Sequence, residues 1–205
     1  MLHLNLRDTR MVAERANELR AIAVEHEMGQ NLNAATFFWG WAIAAAGGVE
    51  EGIAEMGRTM SDPLVGGAGA LMRAALAETC GKHGRASEGL DWVAKGLAAA
   101  EETGVRTAEA ELQRLKGELL LMIKDTGNVV EAECCLRTAI DVARRQSARL
   151  FELRATISLA RLLKQQGKTD EARRMLTEIY HWFTEGFDTV DLKDAKMLLD
   201  ELQRI

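Results

Sequence analysis

The residues of this chain that could do chemistry are few and stand far apart. The four histidines are His3, His26, His83 and His181, and none has a second ligand at helical spacing. His26, within Glu25-His26-Glu27, reads as a solvated surface residue rather than half of a metal site. Of the three cysteines, Cys134 and Cys135 are adjacent and would point about 100° apart on a helix, which favours neither a disulfide nor a metal clamp. The odd count, without framework spacing, fits free thiols in a reducing compartment. No histidine or helix start lies close enough to turn Cys134 or Cys135 into a nucleophile. A phosphate loop needs G-x-x-x-x-G-K-[ST]. Gly66-Gly67-Ala68-Gly69 has no lysine, and in Gly81-Lys82-His83-Gly84 a histidine follows the lysine, so both read as turns. Ser147 and Ser158 lack a recognisable base. The many carboxylates sit among i,i+4 arginines and lysines, as solvated pairs do. The expectation is a protein that is not an enzyme and holds no metal or cofactor.

Helices must position these residues. With one proline, one tyrosine and few β-branched runs, the 205-residue chain is rich in alanine, leucine, glutamate and arginine. Apolar residues make up 47% and charged ones 28%, an ordinary globular balance. The net charge of −5 argues against nucleic acid as the main partner, since phosphate neutralisation needs a basic face. Met1 to Arg10 is mixed and charged, unlike a signal peptide, which points to a cytoplasmic protein. Asn31 to Val49 carries no charge and holds Phe37-Phe38-Trp39-Gly40-Trp41 at its centre. Asn31, Asn33, Thr36 and Gly47-Gly48 dilute it and no basic cluster flanks it, so it reads as a buried helix rather than a membrane span.

One pattern recurs four times: a glycine, then a glutamate and a small residue four and five positions on, then a bulkier apolar residue. The copies are Gly47, Glu51-Gly52, Met56; Gly84, Glu88-Gly89, Val93; Gly127, Glu131-Ala132, Leu136; and Gly167, Glu171-Ala172, Leu176. They lie 37, 43 and 40 residues apart, the period of stacked helical hairpins. Each glycine suits the left-handed residue after a helix end, and each glutamate the first turn of the next helix. Asn128 and Glu131 also have capping-box spacing. The periodicity predicts helices at about 7–28, 30–46, 49–60, 65–83, 86–103, 106–124, 128–147, 150–166, 169–183 and 190–203. Pro63 and Thr103-Gly104 separate successive hairpins. The last helix sets Leu192, Ala195, Leu198, Leu199 and Leu202 against Lys193, Asp194, Lys196 and Glu201, as a capping helix does. The first has no upstream partner, which leaves a face for upstream domains or for a homodimer.

These residues resemble the tetratricopeptide repeat over about residues 30 to 183. The small position of each first helix is then Gly40, Ala77 and Ala160. In the third hairpin Gly117 comes three residues early, so that first helix is expected to be longer or kinked. The resemblance implies an all-α, right-handed α-α superhelix of four hairpins (about 30–60, 65–103, 106–147 and 150–183) in one domain, with an N-terminal helix and a C-terminal cap. It also implies a concave groove lined by Phe37, Phe38 and Trp41, then Glu78, then Glu111, Arg114 and Glu118, then Arg154, Ser158 and Arg161. The other reading of the same residues makes Phe37, Phe38 and Trp41 core and Arg114–Glu118 an ordinary i,i+4 pair.

Three phrases of the C-terminal half, Ala110 to Leu121, Glu152 to Arg161 and Trp182 to Leu192, are similar to the terminal repeat region of bacterial multidomain proteins. Those proteins join a class III adenylate/guanylate cyclase domain to a predicted ATPase domain. That similarity implies a regulatory or assembly segment without catalytic parts. The expected function is to bind a protein or peptide partner, with neither nucleic acid nor membrane. The alternative is a sensor that takes a small molecule in the groove.

Overall fold

A computed structural model of the chain describes residues 9–60, 69–123 and 125–204. Within them the fold is all-α, ten helices with no strand. The helices group into two compact units, Met1–Arg106 and Thr107–Ile205. The first holds α1 (Thr9–Glu25), α2 (Gly29–Ala45), α3 (Val49–Thr59), α4 (Gly69–Lys82) and α5 (Ala86–Thr103). The second holds α6 (Glu109–Met122), α7 (Thr126–Arg145), α8 (Arg149–Gln165), α9 (Thr169–Tyr180) and α10 (Val190–Gln203). Each of the ten expected helices is present, with ends shifted by a few residues. Pro63, Gly66-Gly67-Ala68, His3 and the first residues of the expected 65–83 helix lie outside the described residues.

Inside each unit the same packing order repeats. Every helix lies against the next, and alternate helices also touch: α2 with α4 in the first unit, α6 with α8 and α8 with α10 in the second. This is the paired, repeating contact pattern of a helical solenoid. The core of the first unit gathers Val12, Phe37, Trp41, Ile53, Met56, Met72 and Leu76. That of the second gathers Leu136, Ile140, Leu153, Leu159, Leu163, Leu176, Leu198 and Leu202.

Three copies of the glycine pattern behave as expected. Gly47, Gly84 and Gly167 adopt φ of 106°, 75° and 78°, where a Cβ would crowd the backbone. The small residue then lets the paired helices approach. A Cβ on Gly52 would stand 2.5 Å from the Gly40 oxygen and 2.6 Å from the Ala44 nitrogen. Gly40 also lies against Met56, so residue numbers run in opposite senses across the pair and α2 and α3 are antiparallel.

The third copy differs, and the irregularity sits elsewhere than expected. Gly127 is no left-handed turn residue; it lies in the first turn of α7, its N–H donated to the Asp125 cap at 3.0 Å. Asn128 makes no capping box but donates its amide to the Ile123 carbonyl. Gly117 packs on Ala132 and Leu136 as Gly40 packs on Gly52 and Met56. The extra three residues between these partners fall at the start of α7, the longest helix at 20 residues. α6 is not lengthened: it has 14 residues against 17 in α2 and α8. Asp125 starts the second helix of the hairpin nearly a turn early. Glu131 is thereby moved beyond the first turn, where it pairs with Lys116 at 2.8 Å.

Candidate functional site

In the second unit α6, α8 and α10 form one layer and α7 and α9 pack behind it. Contacts across the layer pair residue 111 with 154, 154 with 191, 118 with 158, 161 with 194 and 164 with 201. The numbers rise together, so the three helices run parallel. On α6 the polar side chains recur at 111, 114 and 118, and on α8 at 154, 158 and 161. That spacing puts each set on one helix face. Six of the ten residues expected to line a groove are therefore brought together here.

At the N-terminal half of the layer they form an ionic network. Arg114 holds Glu111 with two hydrogen bonds, of 3.0 and 2.8 Å, and reaches Glu118 at 2.6 Å. Arg154 donates Nε to both Asp191 oxygens at 3.1 Å and a terminal nitrogen to Oδ2 at 2.8 Å, with Glu111 3.5 Å away. The Ser158 hydroxyl donates to Glu118 at 2.5 Å. Glu111, Arg114, Arg154, Ser158 and Asp191 are all buried. Burial opposes the Arg154 charge, but Glu111 and Asp191 outweigh it and hold the guanidinium above its usual range. Ion pairs so far from water add little net stability, because desolvation offsets their attraction. Glu118 is the member of this network whose side chain is most open to solvent, at 30%.

Towards the C-terminal ends the layer opens. Arg161 meets Asp194 at 2.7 Å and Lys164 meets Glu201 at 2.8 Å, all four partly exposed. Two clefts flank Arg161 and Gln165. One, of about 680 Å³, is lined by Glu118, Leu121, Met122, Val129, Ser158 and Leu162 among others. The other, of about 430 Å³, is lined by Lys164, Asp194, Met197, Leu198 and Glu201. Met122, Val129 and Met197 are exposed hydrophobic residues at their rims.

The remaining expected groove residues belong to the first unit and are placed differently. Phe37 has no exposed surface and Trp41 only 8%, so both are core. Phe38 is half-buried, packs on the same core and meets Phe37 edge to face at 5.7 Å. The aromatic end of the expected groove is therefore not an open wall; its side chains hold α2 against α1, α3 and α4. Glu78 is half-buried and pairs with Lys82 at 3.2 Å, an i,i+4 contact. Sequence reasoning missed Asp191, setting only Lys193, Asp194, Lys196 and Glu201 against the apolar stripe. Asp191 is in phase with Ala195, Leu198 and Leu202, and a carboxylate on an apolar face signals a buried partner.

Among the described residues no group of three or more histidine, cysteine or carboxylate side chains could hold a metal ion. Nor is any described helix long and apolar enough to cross a membrane. Cys80 and Cys135 are buried and Cys134 exposed, all as free thiols; burial pushes the Cys80 thiol up to about 12. Compared with models of protein families and with curated proteins, the chain matches none.

Proposed function

We propose that this chain is a non-catalytic helical-repeat module, of the tetratricopeptide kind, that binds a protein or peptide partner on the face built by α6, α8 and α10. The observation that carries the reading is the shape of that face: a buried ionic network at one end and two clefts at the other, meeting at Arg161. The network makes the surface rigid, which lowers the entropy lost on binding. Met122 and Met197 offer adaptable apolar anchors, with Val129 beside Met122, in place of Phe37, Phe38 and Trp41. The similarity of the C-terminal half to the terminal repeats of cyclase–ATPase proteins extends the proposal to a regulatory or assembly role.

Peptides selected by display on the full chain test this reading. Their affinity should fall by roughly tenfold or more when Met122 and Val129 are both changed to serine, with helicity unchanged. Equal binding to both forms would refute the site. A second reading, a small-molecule sensor, draws support from the larger cleft, whose volume lies in the range of ligand sites. It predicts a compound-induced thermal shift that Arg161→Ala abolishes.

A further inference from the structure

α10 packs in the repeating order of the second unit but is joined to it by a longer link than the helices before it. The links α6–α7, α7–α8 and α8–α9 are three residues long, whereas α9–α10 spans nine, from 181 to 189. That link turns at Gly186, with φ of 76°, and exposes Trp182 and Phe187. The seam it leads to is sorted by sign. Arg154, Arg161 and Lys164 line the α8 side, and Asp191, Asp194 and Glu201 answer from α10. Beside this edge run Leu192, Ala195, Leu198, Leu199 and Leu202, all buried. Separating the two helices would rehydrate Arg154 and Asp191, so the buried pair selects what docks more than it holds it there.

Resting on the reading of this face as a binding surface, we propose that the α8 side of the seam is a docking site for an acidic amphipathic helix of a partner protein, with α10 as its exchangeable resident. The partner helix carries carboxylates at the positions of Asp191, Asp194 and Glu201 and leucines at those of Leu192, Leu198, Leu199 and Leu202. A second copy of this chain is the weaker occupant, because its α10 brings the same Asp194 and adds no contact that the resident helix lacks. A partner gains where the resident is incomplete. Arg161 is bonded to Asp194 through one terminal nitrogen, and a longer carboxylate there can take the guanidinium fork with two.

Two measurements on the full chain test this. In hydrogen exchange, α10 amides should exchange at least about tenfold faster than those of α8 and α9, by local release. Exchange of all three helices at one rate would overturn the proposal while leaving the Met122–Val129 cleft untouched. In fluorescence anisotropy, a labelled peptide of residues 186–204 should bind the D194K/E201K chain roughly tenfold or more tighter than the wild-type chain, whose resident helix competes. Adding R161E/K164E to that chain should abolish binding. Equal binding to the wild-type and D194K/E201K chains would also overturn it.

Discussion

Arg154→Met is the sharpest probe of the network. Arg154 is buried and gives Asp191 three hydrogen-bond contacts of 2.8 to 3.1 Å, while its contact with Glu111 is long, at 3.5 Å. Glu111 keeps its two bonds from Arg114, so the loss falls mainly on Asp191. Removing one partner of a buried pair costs about 3–5 kcal/mol, since the remaining charge stays desolvated. Replacing both partners with apolar residues of similar size is close to neutral. Asp191 also lies in the first turn of α10, where a carboxylate is worth about 0.3–1 kcal/mol against the helix dipole. The double variant Arg154→Met/Asp191→Leu should therefore recover to within about 1 kcal/mol of wild type. Hydrogen exchange resolved by helix is the assay, because a chain of two compact units need not unfold in one step. The expected cost speeds exchange of α8 and α10 amides by about 10²- to 10⁴-fold in the single variant. Both variants exchanging as wild type, or the double variant exchanging faster than Arg154→Met, would refute the network reasoning.

Other outcomes follow from the same geometry. Gly52→Ala should destabilise the first unit by about 1–3 kcal/mol in thermal melts, because the new Cβ meets backbone atoms of α2 that have no rotamer to change; a melting temperature equal to wild type would contradict the close approach. At pH 8 a thiol reagent should modify Cys134 quickly and leave Cys80 and Cys135 slow, since burial pushes both buried thiols up; mass spectrometry of the modified peptides decides it. The Glu133 carboxyl is held below its usual range by the Gln166 amide and by Arg137. Its contribution is present above the ordinary carboxylate pKa and is lost as pH falls through the lowered one. Glu133→Gln should therefore cost at most about 1 kcal/mol at neutral pH and little under strong acid. A stability difference that grows on acidification would have the wrong sign.

The helices and their pairing were legible because they depend on local features. Glycine at a left-handed turn, glutamate in a first turn and a small residue at the crossing act within a few residues of sequence. So three of the four copies hold and all ten helices appear. The third copy misled because two local signals competed: Gly127 looked like a turn glycine, yet Asp125 capped the helix two residues earlier. Hydrophobicity marked Phe37, Phe38 and Trp41 as important, but an aromatic suits a core and a groove alike. Only the neighbours from α1, α3 and α4 decide which.

By itself, then, the sequence determined that this chain is helical, that its helices pair as repeats, and that Glu111, Arg114, Glu118, Arg154, Ser158 and Arg161 fall on matching faces. The tertiary structure decided what those faces meet. It joined Arg154 to Asp191 across 37 residues, buried one half of the polar layer and opened the other into clefts around Arg161. The physical reason is range. Turns, caps and periodicity are set by neighbours along the chain, whereas burial and ion pairing depend on which helices stack, and at what register.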